Sequence, residues 1–415
     1  MAQQSRLAPF GLQDFPTEVQ PPITSNSVTN FDPESIKNDA ASTRIVVHSR
    51  FPRLVQQFLA HKRQYGSSVE QAFYHAGWTW QQQVARLVEK RALVFLGGGD
   101  YTVLRSGEHV GGAFMEWDRV GTEEEEKLNS HLFLQDYLSY DEIMLSSLMG
   151  VSGPSFFVND GRRNNVGRRD EVGEFEPRGV IVGLVGARFE RKDRMDSVYV
   201  LKSVRNPRQH PELRDIFFDF FGCRRNSTLN LDPDMYKARI RITADMLLLE
   251  ASRRAKDVSK KAHVYVVGLG LGVWAVDSSQ TKLYVEAFLA SLADLGDDIS
   301  HIGTVEFAYI KEVLGFKSQS MVFGLSKTAV DVRFSKRNPA AKLRGADADH
   351  LLVLSFAWDG NAFPGNEYWV GSLDATGDPA AACMSTIGEL HNPMINPGFL
   401  NRVEVLDTPP QASSR

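Results

Sequence analysis

Two cysteines, Cys223 and Cys383, are all that the 415 residues contain. That is too few for a disulfide framework or a cysteine zinc site, and it fits a reducing compartment. No apolar run approaches the roughly 18 residues of a membrane span. Neither sign of charge dominates, since 47 basic and 51 acidic residues leave a formal −4. Such a balance gives no electrostatic reason to expect nucleic acid or a membrane surface as the main partner. The first residues lack the charged-then-apolar pattern of a secretory signal, and Asp14 and Glu18 argue against a transit peptide. The expectation is a soluble, cytoplasmic protein. None of the 10 histidines stands in a metal-ligand spacing such as HExxH, and no GxSxG nucleophile elbow occurs. What the chain does have is core-forming material: 42% of its residues are hydrophobic, as in a globular protein.

Residues 1–43 are rich in Pro, Gln, Ser, Thr and Asn without helical or strand period, and read as a flexible arm. From Arg50 to Arg91 the spacing turns helical, with Leu54, Val55, Phe58 and Leu59 on one face and Val84, Leu87 and Val88 on another. "ALVFLGGGDYTVLRSG" is a short apolar strand broken by glycines, and the glutamate run after Thr122 favours helical pieces. "NDGRRNNVGRRDEVGEFEPRG" is polar and glycine-punctuated, a surface loop whose arginines are expected in solvent. Then "VIVGLVGARF" and "SVYVLKS" read as strands, with a charged hairpin between them at Glu190–Asp196, and residues 233–260 form the longest helical pattern.

Strands and helices alternate from there on: "HVYVVGLGLGVWAV", "TKLYVEAFLASLADLG", "TVEFAYI", "LLVLSFAW" and "DPAAACMSTIGELHNP". That order implies an α/β fold with a mixed, mainly parallel sheet and helices on both faces. The organisation expected is a flexible arm at 1–43, a mostly helical N-terminal region at 44–174, an α/β domain at 175–405 and a flexible tail at 406–415.

Ligands of open α/β sheets sit beyond the carboxyl ends of the strands. Two loops are built for that place. Gly268-Leu269-Gly270-Leu271-Gly272 follows "VYVV", and alternating glycines let main-chain N–H groups converge on phosphate oxygens. Tight packing is the plainer use of such glycines. A nicotinamide fingerprint fits less well, because the spacing is GxGxG and no helix opens at once. The second loop is "SFAWDGNAFPGNEYW". Asp359 lies just past a strand, Asn361 two residues on, Asn366 and Glu367 behind a Pro-Gly turn, and Asp378 at the next helix start. Three carboxylates and two amides exceed what a turn needs, although Asp before Pro at a helix start is also ordinary capping.

"VVGLGLGVWAV" resembles the diphosphate-binding loop of macrodomains. "WDGNAFPGNEYW", then "TGDPAAA" and "HNPMINP", are similar to the macrodomain-like ADP-ribosylhydrolases of the MavL type, over roughly residues 260 to 400. The asparagine-rich loop follows the diphosphate loop here, whereas in ordinary macrodomains it precedes it. The resemblance implies a macrodomain-like fold and hydrolysis of ADP-ribose from arginine side chains. It implies Asp359, Glu367 and Asp378 as the acidic catalytic positions. Gly268, Leu269, Gly270, Leu271, Gly272, Val273 and Trp274 would hold the diphosphate side of ADP-ribose, with Asn361 and Asn366 on ribose hydroxyls. The implied partner is an ADP-ribosylated protein, with ubiquitin one candidate.

Cleaving a ribose–guanidine bond develops positive charge on the sugar, and such centres use paired carboxylates. Carboxylates also accept a guanidinium two donors at a time. Asp359 and Glu367 are therefore expected to serve water and ribose, and Asp378 the guanidinium. Trp274, Phe363, Tyr368 and Trp369 are either pocket walls or core, and Asp100 or Tyr101 either approach the adenine or belong to a tight turn. The scheme requires no cofactor and no metal, though three carboxylates could also take magnesium. Two other classes stay open: a module that binds ADP-ribose without cleaving it, and a dinucleotide oxidoreductase.

Overall fold

The structure, a computed structural model, describes residues 19–97, 99–202, 207–310 and 316–408. Nine segments pair into one sheet: β1 (Arg44–His48), β2 (Met149–Phe156), β3 (Arg178–Leu184), β4 (Ala262–Val266), β5 (Ile302–Ala308), β6 (Gln319–Phe323), β7 (Thr328–Ser335), β8 (Leu351–Ala357) and β9 (Val403–Leu406). Their spatial order is β9-β1-β2-β3-β8-β4-β5-β7-β6. Neighbours from β3 through β7 are parallel, β9 is parallel to β1, and β2 and β6 run the other way. The expected mainly parallel α/β sheet is what forms. β8, the apolar run "LLVLSFA", lies between β3 and β4 and is buried along its centre, as a strand covered on both faces must be.

Four helices matter for the site: α1 (Phe51–Tyr65), α2 (Pro233–Asp257), α3 (Gln280–Leu295) and α4 (Asp378–Met384). α2 starts where Asp232 caps the main-chain N–H groups of Asp234 and Met235, and nearly all of its circumference is buried. Alternation along β2 shows the two covered faces. Ser152 bonds Glu250 of α2 at 2.6 Å, while Ser155, on the opposite face, bonds Thr386 beyond α4 at 2.9 Å.

The region from 44 to 174 holds the expected helices, among them α1, Trp80–Glu89 and Tyr140–Ser146, but also contributes β1 and β2 to the sheet. Part of the expected arm is packed. Pro33–Ser42 is a helix capped by Asp32, and Asn26 donates to the carbonyls of Ala382, at 2.5 Å, and Ser385, at 2.9 Å. Residues 1–18 of that arm and 409–415 of the tail lie outside the described residues. "SVYVLKS" departs from expectation. Ser197–Val200 is a helical turn, because Asp196 before it is drawn into a buried ion pair with Arg239 of α2 at 2.8 Å, and Tyr199 packs on Phe217 and Phe221. The last expected helix is two: α4 and Ile387–Leu390, separated by an extended Ser385 (φ −144°, ψ 174°). No helix among the described residues is long and apolar enough to cross a membrane.

Candidate active site

β3, β8 and β4 are adjacent and parallel, so the loops leaving their carboxyl ends emerge together. After β3 comes Val185–Arg191, after β4 the glycine loop, and after β8 the loop that carries Asp359. The expected neighbourhood of glycine loop and acid cluster therefore follows from strand order.

The glycine loop lies against the loop after β3. Gly270 adopts a left-handed φ of +75°, and a Cβ there would stand 2.8 Å from the carbonyl oxygen of Ala187. Leu269 is buried, Gly272 and Val273 are exposed at the tip, and Trp274 is half-buried. The loop spends the N–H groups of Leu269 and Leu271 internally, on Val267 and Gly268. Among the described residues the N–H groups of Gly270, Gly272 and Val273 have no protein acceptor. Main-chain donors without acceptors, gathered in a loop that glycine keeps bare, form an anion cradle.

The second loop brings its three acids together. Burial raises the Asp359 carboxyl above its ordinary value, with Glu190 adding to the effect and Arg188 opposing it. Glu367 is raised by burial and by the charge of Asp359. Asp378 is raised well above the carboxylate range, first by burial and then by both other acids. Asp378 is 7% exposed and is the first residue of α4 rather than its cap, a place taken by Gly377. Its carboxylate is thus not spent on helix capping. One oxygen each of Glu367 (Oε2) and Asp378 (Oδ2) is buried without a hydrogen-bond partner. Buried polar atoms are nearly always satisfied, so these two mark where a ligand's donors belong.

The two asparagines differ. Both side-chain polar atoms of Asn361, which is 1% exposed, lack partners. Asn366 is fully committed. Its Nδ2 donates to Phe95 O at 2.8 Å and to Asp359 Oδ2, and its Oδ1 accepts from Phe95 N at 2.9 Å. It therefore bolts the glycine hairpin Val94–Leu96/Tyr101–Val103 to the loop after β8 and leaves no donor for a sugar. Phe363, Tyr368 and Trp369 are core, packed with Val94, Val103 and Cys383. Asp100 is buried and engaged by Tyr140 and by Arg191 at 2.8 Å, whereas Tyr101 is exposed and bonds His109. Arg163, Arg168 and Arg169 of the arginine loop are exposed as expected, while Arg162 pairs with Asp170 at 2.5 Å and Asn165 donates to Ala380 of α4 at 3.1 Å.

Sequence reasoning missed Gly186, Arg188 and Glu190, in the loop after β3. The available signal was position: that loop also ends a parallel strand. It missed Arg91 as well, a fully buried guanidinium 3.6 Å from the Trp358 ring centroid that donates to Ser146 at 2.8 Å.

Crowded buried acids cost stability, which makes a checkable expectation. The folded-state value of Asp378 lies above its unfolded value. The folded chain therefore keeps a proton that the unfolded chain releases, and stability falls as pH rises from about 4 through the raised folded value. Asp378→Asn, permanently neutral, should melt a few degrees higher than wild type at pH 7. That gain should shrink toward pH 4. A melting temperature lowered at pH 7 would contradict the picture.

A family model described as "ADP-ribosylhydrolase MavL-like" matches residues 11–210 and 218–406. The chain is 37% identical over 406 aligned positions to the ADP-ribosylarginine hydrolase CG2909 of Drosophila melanogaster, covering 88% of this chain and 79% of that one. It is 35% identical over 436 positions to the ADP-ribosylarginine hydrolase CG3568 of the same organism, covering 95% and 82%.

Proposed function

We propose that this chain, which belongs to the MavL-like ADP-ribosylhydrolase family, removes ADP-ribose from ADP-ribosylated arginine side chains of proteins. The observation that carries the reading is the acid cluster: buried Asp378 with half-buried Asp359 and Glu367, beside a cradle of unpaired main-chain amides. A module that only holds ADP-ribose has little use for such crowding, whereas a reaction that passes a proton and stabilises a cationic sugar does.

In the scheme, the unspent main-chain N–H groups of the Gly268–Trp274 loop, those of Gly270, Gly272 and Val273, hold the pyrophosphate in a macrodomain-like manner, and Asn361 takes ribose hydroxyls. Asn366 serves by orienting Asp359. Asp378 receives the guanidinium, and Asp359 and Glu367 face the anomeric carbon and the attacking water. The water oxygen bonds to that carbon while the bond to the guanidine nitrogen breaks, its electrons leaving with the nitrogen. A carboxylate takes the proton that water gives up and passes it to the departing guanidine, restoring a guanidinium. The raised carboxyls suit this, because a higher proton affinity makes a carboxylate a stronger base. Ubiquitin is a candidate acceptor protein, and the cytoplasm the proposed compartment.

The test is incubation with arginine-ADP-ribosylated protein and chromatography of the products. Release of free ADP-ribose with unmodified arginine left behind supports hydrolysis. Tight binding without release would make the chain an ADP-ribose reader, and reduction of a nicotinamide cofactor would make it an oxidoreductase. Arginine-modified ubiquitin, assayed beside another arginine-modified protein, tests that acceptor.

A further inference from the structure

Substrate fixes the distance between its pyrophosphate and its anomeric carbon, so the enzyme must hold two loops at a matching spacing. Misplacement by about 1 Å costs on the order of a hundredfold in rate. Three side chains join those loops. Arg188, 3% exposed, donates from Nη1 to the main-chain oxygen of Asp359 at 2.6 Å and from Nη2 to Glu190 Oε1 at 2.5 Å. Its guanidinium lies 4.6 Å from the ring centroid of Trp274, at the end of the glycine loop. The Trp274 indole Nε1 donates to Glu190 Oε2 at 2.8 Å, which closes the circuit. The base of the circuit is anchored: Arg188 N donates to Asp196 Oδ2 at 2.8 Å, and Asp196 is paired with Arg239 of α2.

Two features set this arrangement apart from an incidental ion pair. Exposed pairs contribute little, but this one is largely withdrawn from water, where removing a partner leaves an uncompensated charge. Each oxygen of Glu190 also serves a different loop, which a carboxylate spent on neutralising Arg188 alone would not do.

We propose that Arg188, Glu190 and Trp274 form a brace that sets the spacing between the pyrophosphate-holding loop and the carboxylate cluster, with Arg188 and Glu190 as positioning residues for the hydrolysis. This rests on the functional reading above.

The brace has an electrostatic signature. Asp359 is faced by the cations Arg188 and Arg91, by the acids Glu190, Glu367 and Asp378, and by the Asn366 amide. Arg188 favours its charged form and Glu190 opposes it. Removing the two charges must therefore move the cluster's titration in opposite directions. Without Glu190 the cluster ionises at lower pH, and without Arg188 at higher pH.

The experiment compares wild type with Trp274→Phe, Glu190→Gln, Arg188→Lys and Arg188→Met. Affinity for ADP-ribose is read by calorimetry, and kcat and KM are read across pH. Trp274→Phe, which removes the indole donor and part of the ring beside Arg188, is expected to weaken ADP-ribose binding about tenfold. Glu190→Gln should raise KM more than it lowers kcat and shift the acid limb of kcat to lower pH. Arg188→Met should shift that limb to higher pH, and Arg188→Lys should keep it near wild type while still weakening binding. If Arg188→Met fails to fold, the Trp274 and Glu190 variants carry the test. Unchanged affinity in Trp274→Phe together with an unmoved limb in Glu190→Gln would overturn the brace. If wild type releases no ADP-ribose, the hydrolase reading fails, and the affinity measurements still decide whether the brace exists.

Discussion

Glu367→Gln should lower turnover of arginine-linked ADP-ribose by about 10²–10⁴-fold while binding of ADP-ribose stays close to wild type, the range expected when a general base is removed. Several observations single out this residue. One of its oxygens, Oε2, is buried and has no protein partner. Its carboxyl is raised by burial and then by the neighbouring charge of Asp359. Asp359, by contrast, has one oxygen held by Asn366. Glutamine keeps the shape of the side chain and cannot take a proton.

The fold should tolerate the change. Glu367 sits in the short helical turn Asn366–Val370, whose entry is set by Gly365 at φ +97°, not by the carboxylate. Removing one of three crowded anions also relieves repulsion. The check is single-turnover release of ADP-ribose together with calorimetry of ADP-ribose binding. Turnover equal to wild type would remove Glu367 from the mechanism. In the wild type the same carboxyls should set the acid limb. Activity should be present above their raised values and be lost as pH falls through them, at a higher pH than a free carboxyl would give.

The second large effect comes from a residue outside both sequence-singled loops. Gly186→Ala is expected to weaken ADP-ribose binding by one to two orders of magnitude, the cost of losing a hydrogen bond of about 1.5–3 kcal/mol to a charged group. A Cβ at Gly186 would stand 2.4 Å from both the carbonyl carbon and oxygen of Leu269 and 2.7 Å from the nitrogen of Gly270. These are main-chain atoms of the glycine loop and cannot rotate aside, so the loop itself must shift. Overpacking of this kind costs about 1–3 kcal/mol, so the protein should still fold while the cradle is displaced. Affinity for ADP-ribose and the melting temperature, measured on the same preparation, separate the two effects. A wild-type affinity in Gly186→Ala would mean that the cradle lies elsewhere.

Legibility followed separation along the chain. Asp359, Glu367 and Asp378 stand within one strand–turn–helix passage, so their gathering needs no long-range pairing. The glycine loop announced itself in the same local way, and so did the helical period of α2 and the apolar run of β8. Periodicity and turn chemistry act over a few residues and are therefore written in the order of the amino acids.

Other features required the sheet to assemble. Arg188 meets Asp359 across a separation of 171 residues, and it does so because β3 pairs with β8. Strand order depends on which hydrophobic faces bury one another, a choice made by the whole core and not by any one segment. The same cause turned "SVYVLKS" from a strand into a helical turn, since Asp196 found Arg239. It also packed Val19 and Asn26 against α4 and committed Asn366 to Phe95 instead of a sugar. By itself the order of residues determined the chemistry on offer, namely bare amides after one strand and crowded acids after another. Tertiary packing decided where those groups stand relative to each other and which neighbours hold them, because distances between loops are set by strand pairing, which no local pattern encodes.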